Sequence, residues 1–227
     1  MSRARSFLYD NGLSIGFGLI FLGALAGQAF AGLHVFNSDA ISHGSSEISF
    51  WRYVTSSTYA ARVMENWQSE YLQFTLYILG TVWLIQRGSP ESKEVGKEGR
   101  ESDQAQQVGG HARRNSPAWA KAAGFRRAVL SNSLLLVMGS IWLLSWLAQS
   151  IAGRGEYNSE QLSHLQDPVS WAAYVGTSDF WERTLQNWQS EFLAVGSLAV
   201  FTIYLRQRGS PESKPVGARH DETAASG

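Results

Sequence analysis

Two lines of side chains could do chemistry in this chain. Arg62, Asn66 and Glu70 follow one another at intervals of four, which on a helix stacks them along one face. Arg183, Asn187 and Glu191 repeat that line 121 positions further on. Glu70 and Glu191 stand in otherwise apolar stretches. A charge at mid-membrane costs roughly 2.5–3.5 kcal/mol on insertion scales, which makes such a carboxylate a functional candidate. Two readings stay open. The preferred one is a polar intramembrane network of these six residues, and the other is an ion pathway through the two carboxylates. A second constellation pairs Asp39 with His43 and Glu160 with His164, each four apart. Together they hold donors suited to zinc or another divalent metal. Nothing in the sequence brings the two pairs together, so an exposed His beside a carboxylate is preferred and no metal or cofactor is assigned. Cysteine is absent, which excludes thiolate ligands, Cys nucleophiles and disulfides. No Gly-rich phosphate loop and no H-E-x-x-H occurs, and an enzyme is not expected.

The elements that carry these residues come from the apolar pattern. Four stretches come close to the length needed to cross a membrane, about 20 helical residues. They are residues 12–36, 67–85, 129–151 and 188–205. The second and fourth are short and each contains one carboxylate, so polar residues must complete them at an interface. A soluble bundle would show polar faces at a 3.6-residue period, and the first and third stretches show none. Arg3 and Arg5 before a run that reaches Ala29-Phe30-Ala31 could mark a signal peptide. That run exceeds a signal core of about 7–15 residues, and the pattern returns deep in the chain at 149–153, so a retained span is expected.

Lys and Arg set the expected orientation. Of 19 in the chain, residues 1–11 hold two, 86–128 nine and 206–227 four, while the connecting loops 33–66 and 154–187 hold only Arg52, Arg62, Arg154 and Arg183. Both termini and the middle are therefore expected in the cytoplasm. Asp+Glu also total 19, and this balance argues against a nucleic-acid binder working through bulk positive charge.

Shifted by 121 residues, the chain matches itself at about 35 of the 86 positions in 11–96, with no insertion. Asn66-Trp67-Gln68-Ser69-Glu70 returns as Asn187-Trp188-Gln189-Ser190-Glu191. The eight residues from Gln86 to Lys93 return unchanged as those from Gln207 to Lys214. Each copy holds two spans, so both enter the membrane in the same sense. The expected fold is thus all-α: four transmembrane helices as two parallel hairpin repeats about a pseudo-two-fold axis along the membrane normal, a fused homodimer in form. Residues 7–96 form the first repeat, 97–127 a flexible cytoplasmic linker, 128–217 the second repeat and 218–227 a disordered tail.

The doubled Asn-Trp-Gln-Ser-Glu and Gln-Arg-Gly-Ser-Pro-Glu-Ser-Lys motifs resemble a family of small bacterial integral membrane proteins described only as a domain of unknown function. The resemblance implies a bacterial membrane protein and brings no activity, substrate or catalytic residue.

Smaller signals complete the reading. Asn11 and Asn132 look like helix N-caps. Gly12, Gly16, Gly23 and Gly27 share one face and would admit a second helix closely. Trp119 to Arg127 could form a basic amphipathic helix, and short helices are expected around Trp51 and Trp171. Arg87 and Arg208 would sit in a last helical turn, followed by left-handed Gly88 and Gly209. The repeated Glu-Ser-Lys after them has no explanation in helix capping. The expected function is a non-enzymatic structural or interaction component of the bacterial inner membrane, its partners being the lipid bilayer and an unidentified protein, with no nucleic acid. The alternative is a small ion or solute channel or transporter using Glu70 and Glu191.

Overall fold

The structure is a computed structural model that describes residues 3–225. Every long element in it is an α-helix, and no strand occurs among the described residues. In chain order these are α1 (Arg3–Asp10), α2 (Gly12–Ser42), α3 (Phe50–Val54), α4 (Ser57–Trp83), α5 (Ala118–Lys121), α6 (Phe125–Ser131), α7 (Ser133–Ser163), α8 (Trp171–Val175) and α9 (Ser178–Tyr204). The helices α2, α3 and α4 are 31, 5 and 27 residues long, and so are α7, α8 and α9. Each start lies 121 residues after its counterpart: 133 minus 12, 171 minus 50, 178 minus 57.

Among the described residues, only α2 and α7 are long and apolar enough, by length and composition, to cross a membrane. At 1.5 Å per residue their 31 residues extend about 46 Å, past a hydrocarbon core of about 30 Å. The helices α4 and α9 fall short because their first halves are charged. Arg62, Glu65 and Glu70 stand in one, and Asp179, Glu182, Arg183 and Glu191 in the other.

Three local expectations need correction. Asn11 does not cap α2, since its side chain makes no capping bond there. Its Nδ2 instead donates backward to the Phe7 carbonyl at 2.8 Å, and Asn132 Nδ2 does the same to Ala128 at 2.8 Å. Each amide thus bonds a carbonyl in the last turn of the preceding short helix rather than the start of the long one. The basic stretch 119–127 is not one helix. Gly124, at φ 64°, separates α5 from α6 in a conformation that breaks a right-handed helix. Finally, α4 and α9 end at Trp83 and Tyr204, so Arg87 and Arg208 lie beyond the last helical turn.

The chain forms two compact units, one of Met1–Val63 with Ile151–Pro168 and one of Met64–Ser150 with Val169–Gly227. In the first, aromatic rings hold α3 between α2 and the start of α4. Phe30 stacks on Phe50 at 4.8 Å between ring centres, and the buried Tyr53 meets Phe36 at 5.7 Å and Tyr59 at 5.5 Å. Gly32 lets the Tyr53 ring approach, because a Cβ there would meet its Cζ at 3.0 Å and collide with its hydroxyl. Asn37 pins the loop between α2 and α3, donating to the Ile48 carbonyl at 3.1 Å and accepting from its N–H at 2.9 Å. No heavy atom beyond the helix's own comes within 4 Å of a Cβ built at Gly12, Gly16, Gly23 or Gly27, so the glycine face of α2 is open.

In the second unit the core centres on Trp146 of α7. Its ring lies 6.3 Å from Phe180, 6.1 Å from Trp181 and 5.9 Å from Trp188, all on α9. Ser150, one turn on, accepts from Trp171 Nε1 at 2.9 Å and so ties α8 to α7.

Candidate functional site

The six residues of the expected network fall on α4 and α9. Arg62 belongs to the first unit, and the other five to the second. Asn187 Nδ2 donates to the Arg183 carbonyl one turn before it at 2.8 Å, a bond within the helix. The Arg183 guanidinium reaches Asp179 at 3.2 Å on its own helix and Glu65 of α4 at 3.4 Å. Glu70 is exposed and Glu191 half-buried. The two are near enough for their charges to repel.

The contacts that join α4, α7 and α9 involve residues the spacing argument passed over. Trp188 Nε1 donates to Gln68 Oε1 at 2.8 Å, and Gln149 Nε2 donates to Thr184 Oγ1 at 3.4 Å. Gln68 and Gln149 are 0% and 1% exposed. Each leaves its second amide atom without a hydrogen-bond partner, and the Trp142 and Trp146 indole N–H groups are also buried and unbonded. Such groups cost stability, roughly 1–3 kcal/mol each. The sequence did carry a signal for them. Gln68 stands inside the repeated motif, and Gln149 is one of the few polar positions kept between the two long apolar helices.

The metal candidates stay apart. His43 Nδ1 is 3.6 Å from the Asp39 carboxylate and 2.9 Å from its carbonyl, with both side chains exposed. His164 and Glu160 are joined through backbone, N–H to carbonyl at 3.1 Å. Among the described residues, no group of three or more His, Cys, Asp or Glu is placed to hold a metal ion.

The repeated eight-residue motif proves to be a closed loop. The Gln86 N–H donates to Ser92 Oγ at 2.9 Å, and the Gln207 N–H to Ser213 Oγ at 2.9 Å. Between these ends, Gly88 and Gly209 take φ of 87° and 83°, the left-handed conformation glycine allows. Ser89 Oγ accepts from the Glu91 N–H at 3.2 Å, and Ser210 Oγ from Glu212 at 3.2 Å. The lysine then fastens the residues just beyond the loop. Lys93 Nζ donates to the Gly99 carbonyl at 2.7 Å. Lys214 Nζ, buried, donates to the carbonyls of Arg219, His220 and Glu222 at 3.0, 3.0 and 3.1 Å. Burial pushes the Lys214 ammonium below the usual lysine range, with the nearby Arg206 charge adding to it. Glu-Ser-Lys is therefore repeated because its serine closes a loop and its lysine collects carbonyls. The residues expected to form a tail touch the first of these loops: Thr223 Oγ1 accepts from the Gly88 N–H at 2.9 Å, and the Ala224 N–H donates to the Ser89 carbonyl at 3.1 Å.

These features define an all-helical protein with two helices that qualify as candidate membrane spans. The chain belongs to a family described as a domain of unknown function (DUF6766), whose profile matches residues 4–225. No curated protein and no solved structure matches it.

Proposed function

We propose that the protein is a multi-pass component of the bacterial inner membrane with a structural or interaction role and no enzymatic activity. Its four spans are α2, α4, α7 and α9, arranged as two same-sense hairpin repeats, with both termini in the cytoplasm. One observation carries the reading. Leu13, Phe17, Leu19, Ile20 and Leu22 of α2 are all exposed, and at 100° per residue they lie on every side of the helix. A helix apolar all round is covered either by protein or by lipid, and these side chains of α2 stay exposed. We take the lipid bilayer as the partner of α2. The equal helix lengths in the two halves support the repeat, and the 15-to-4 division of Lys and Arg supports the orientation. The buried Gln68–Trp188 and Gln149–Thr184 pairs suit a permanent seam between helices.

The chain has no cysteine, so single cysteines can be introduced as probes. A membrane-impermeant thiol reagent on intact cells should label Ser45→Cys and leave Ser102→Cys unlabelled until the membrane is opened. Labelling of Ser102→Cys alone, or of both, would overturn the orientation.

A further inference from the structure

A cavity of about 320 Å³ lies in the second unit between α4, α9 and the Gln86–Lys93 loop. That volume is at the lower end of small-molecule sites, roughly 300–1,000 Å³, and far above the ~30 Å³ share of one water. Its walls are apolar: Leu76, Leu84 and Ile85 on one side, Phe192, Val195 and Ala199 on the other. From Gln73 to Thr81 it follows α4 for about 12 Å at 1.5 Å per residue and continues past the helix end to Leu84 and Ile85, so it is elongated.

Among its polar lining residues, Glu91 is the carboxylate. At the loop end stands Glu91, whose carboxylate accepts from Tyr77 Oη at 2.9 Å. The exposed Glu212 carboxyl of the other loop does not line the cavity, but it lies near enough to Glu91 for their charges to repel. Two carboxyl groups this close need a proton or another cation between them. At the far end, the buried Gln73 Oε1 has no hydrogen-bond partner. The cavity thus offers negative charge at its loop end, at Glu91, and hydrocarbon along its length.

We infer that this cavity binds an elongated amphiphilic amine, its ammonium at Glu91, near Glu212, and its alkyl body along the apolar walls towards Gln73. A bare metal ion would leave the apolar length unused, and a fatty acid would set a third carboxylate against two. Comparison of the chain with itself points the same way. Glu91 and Glu212 correspond under the 121-residue shift, whereas Gln73, Tyr77 and Gly80 correspond to Ala194, Leu198 and Phe201. One half therefore opens and lines a cavity that the other half's side chains would fill. The inference needs only the second unit and does not depend on the membrane reading.

The probe is octylamine, with octanol, octanoate and calcium as controls, added to the full chain in phosphatidylcholine nanodiscs. Binding is read as a saturable rise in melting temperature. Octylamine should stabilise the parent chain, and the three controls should not. In Glu91→Gln the midpoint of the response should weaken by about tenfold or more, because a charge-assisted bond is lost. Gly80→Phe should abolish it by filling the cavity. A Cβ at Gly80 meets only Leu84 Cδ1, at 3.7 Å, so the backbone tolerates the change. The inference fails if octylamine leaves the parent unmoved, if octanol or calcium acts equally, or if both variants respond as the parent does. A failed orientation test with intact octylamine binding would sink the membrane reading alone.

Discussion

Glu91 shows how position decides what a carboxyl does. Burial raises its pKa above the ordinary carboxylate value, and the adjacent Glu212 raises it further, while the Tyr77 hydroxyl opposes them. A raised pKa means the folded chain holds this proton more tightly than the unfolded chain. Stability from this group is thus fully present at pH below the ordinary value of about 4.5, and it is lost as pH rises through the higher folded value. Glu91→Gln keeps the shape and removes the titration. The variant should gain on the parent in melting temperature as pH climbs from about 4 to 7, and the two should converge at the acid end. A constant difference across that range would show that Glu91 titrates as it does unfolded. Glu70 and Glu191 differ from this pair in geometry, since neither accepts a hydrogen bond from any described residue. The four-residue spacing of Arg62, Asn66 and Glu70 was legible from sequence, but which atoms they meet was not. Arg183 pairs with Glu65, which no motif singles out.

Among the elements, the two closed loops have the most explicit energetics. Ser213 is buried, and its hydroxyl is the acceptor for the Gln207 N–H. Ser213→Ala strands that N–H and should cost about 1–3 kcal/mol, as should Ser92→Ala for Gln86. Denaturation of each variant in detergent would test this, and loss of less than about 0.5 kcal/mol in both would mean the loops close without their serines. The long helices could be read in advance because an uncharged run of membrane length has few other uses. The short helices α3 and α8 formed where aromatic residues follow a serine, and Ser49 and Ser170 do cap them. The loops were opaque for a physical reason. A serine hydroxyl bonding an N–H six residues earlier leaves no period in the sequence, and neither does a lysine gathering distant carbonyls. The Asn11 and Asn132 assignments failed because an Asn between two helices can serve either one. Only the direction of its amide decides which.

At the scale of the whole molecule, residues far apart in the chain complete one another. Lys214 is a buried cation held by the carbonyls at 219, 220 and 222, with the Glu222 and Asp221 charges adding to them. Cutting the chain after Gly217 should therefore cost more than the loss of a solvated tail, roughly 1–3 kcal/mol, because hydrogen bonds to a charged group are removed. If the shortened chain melts with the parent, the tail holds nothing. The pairing of Gln68 with Trp188 spans 120 positions, and only the folded chain brings them together.

The contact of Thr223 and Ala224 with Gly88 and Ser89 also has a consequence in time. A ribosome delivers residues 88 and 89 well over a hundred residues before it delivers 223 and 224. During that interval the first loop can close on Ser92 and Lys93, but the Gly88 N–H and the Ser89 carbonyl wait for partners not yet made. Thr223 and Ala224 are then a late latch on a loop that formed much earlier, and nascent chains halted before them carry that loop unlatched.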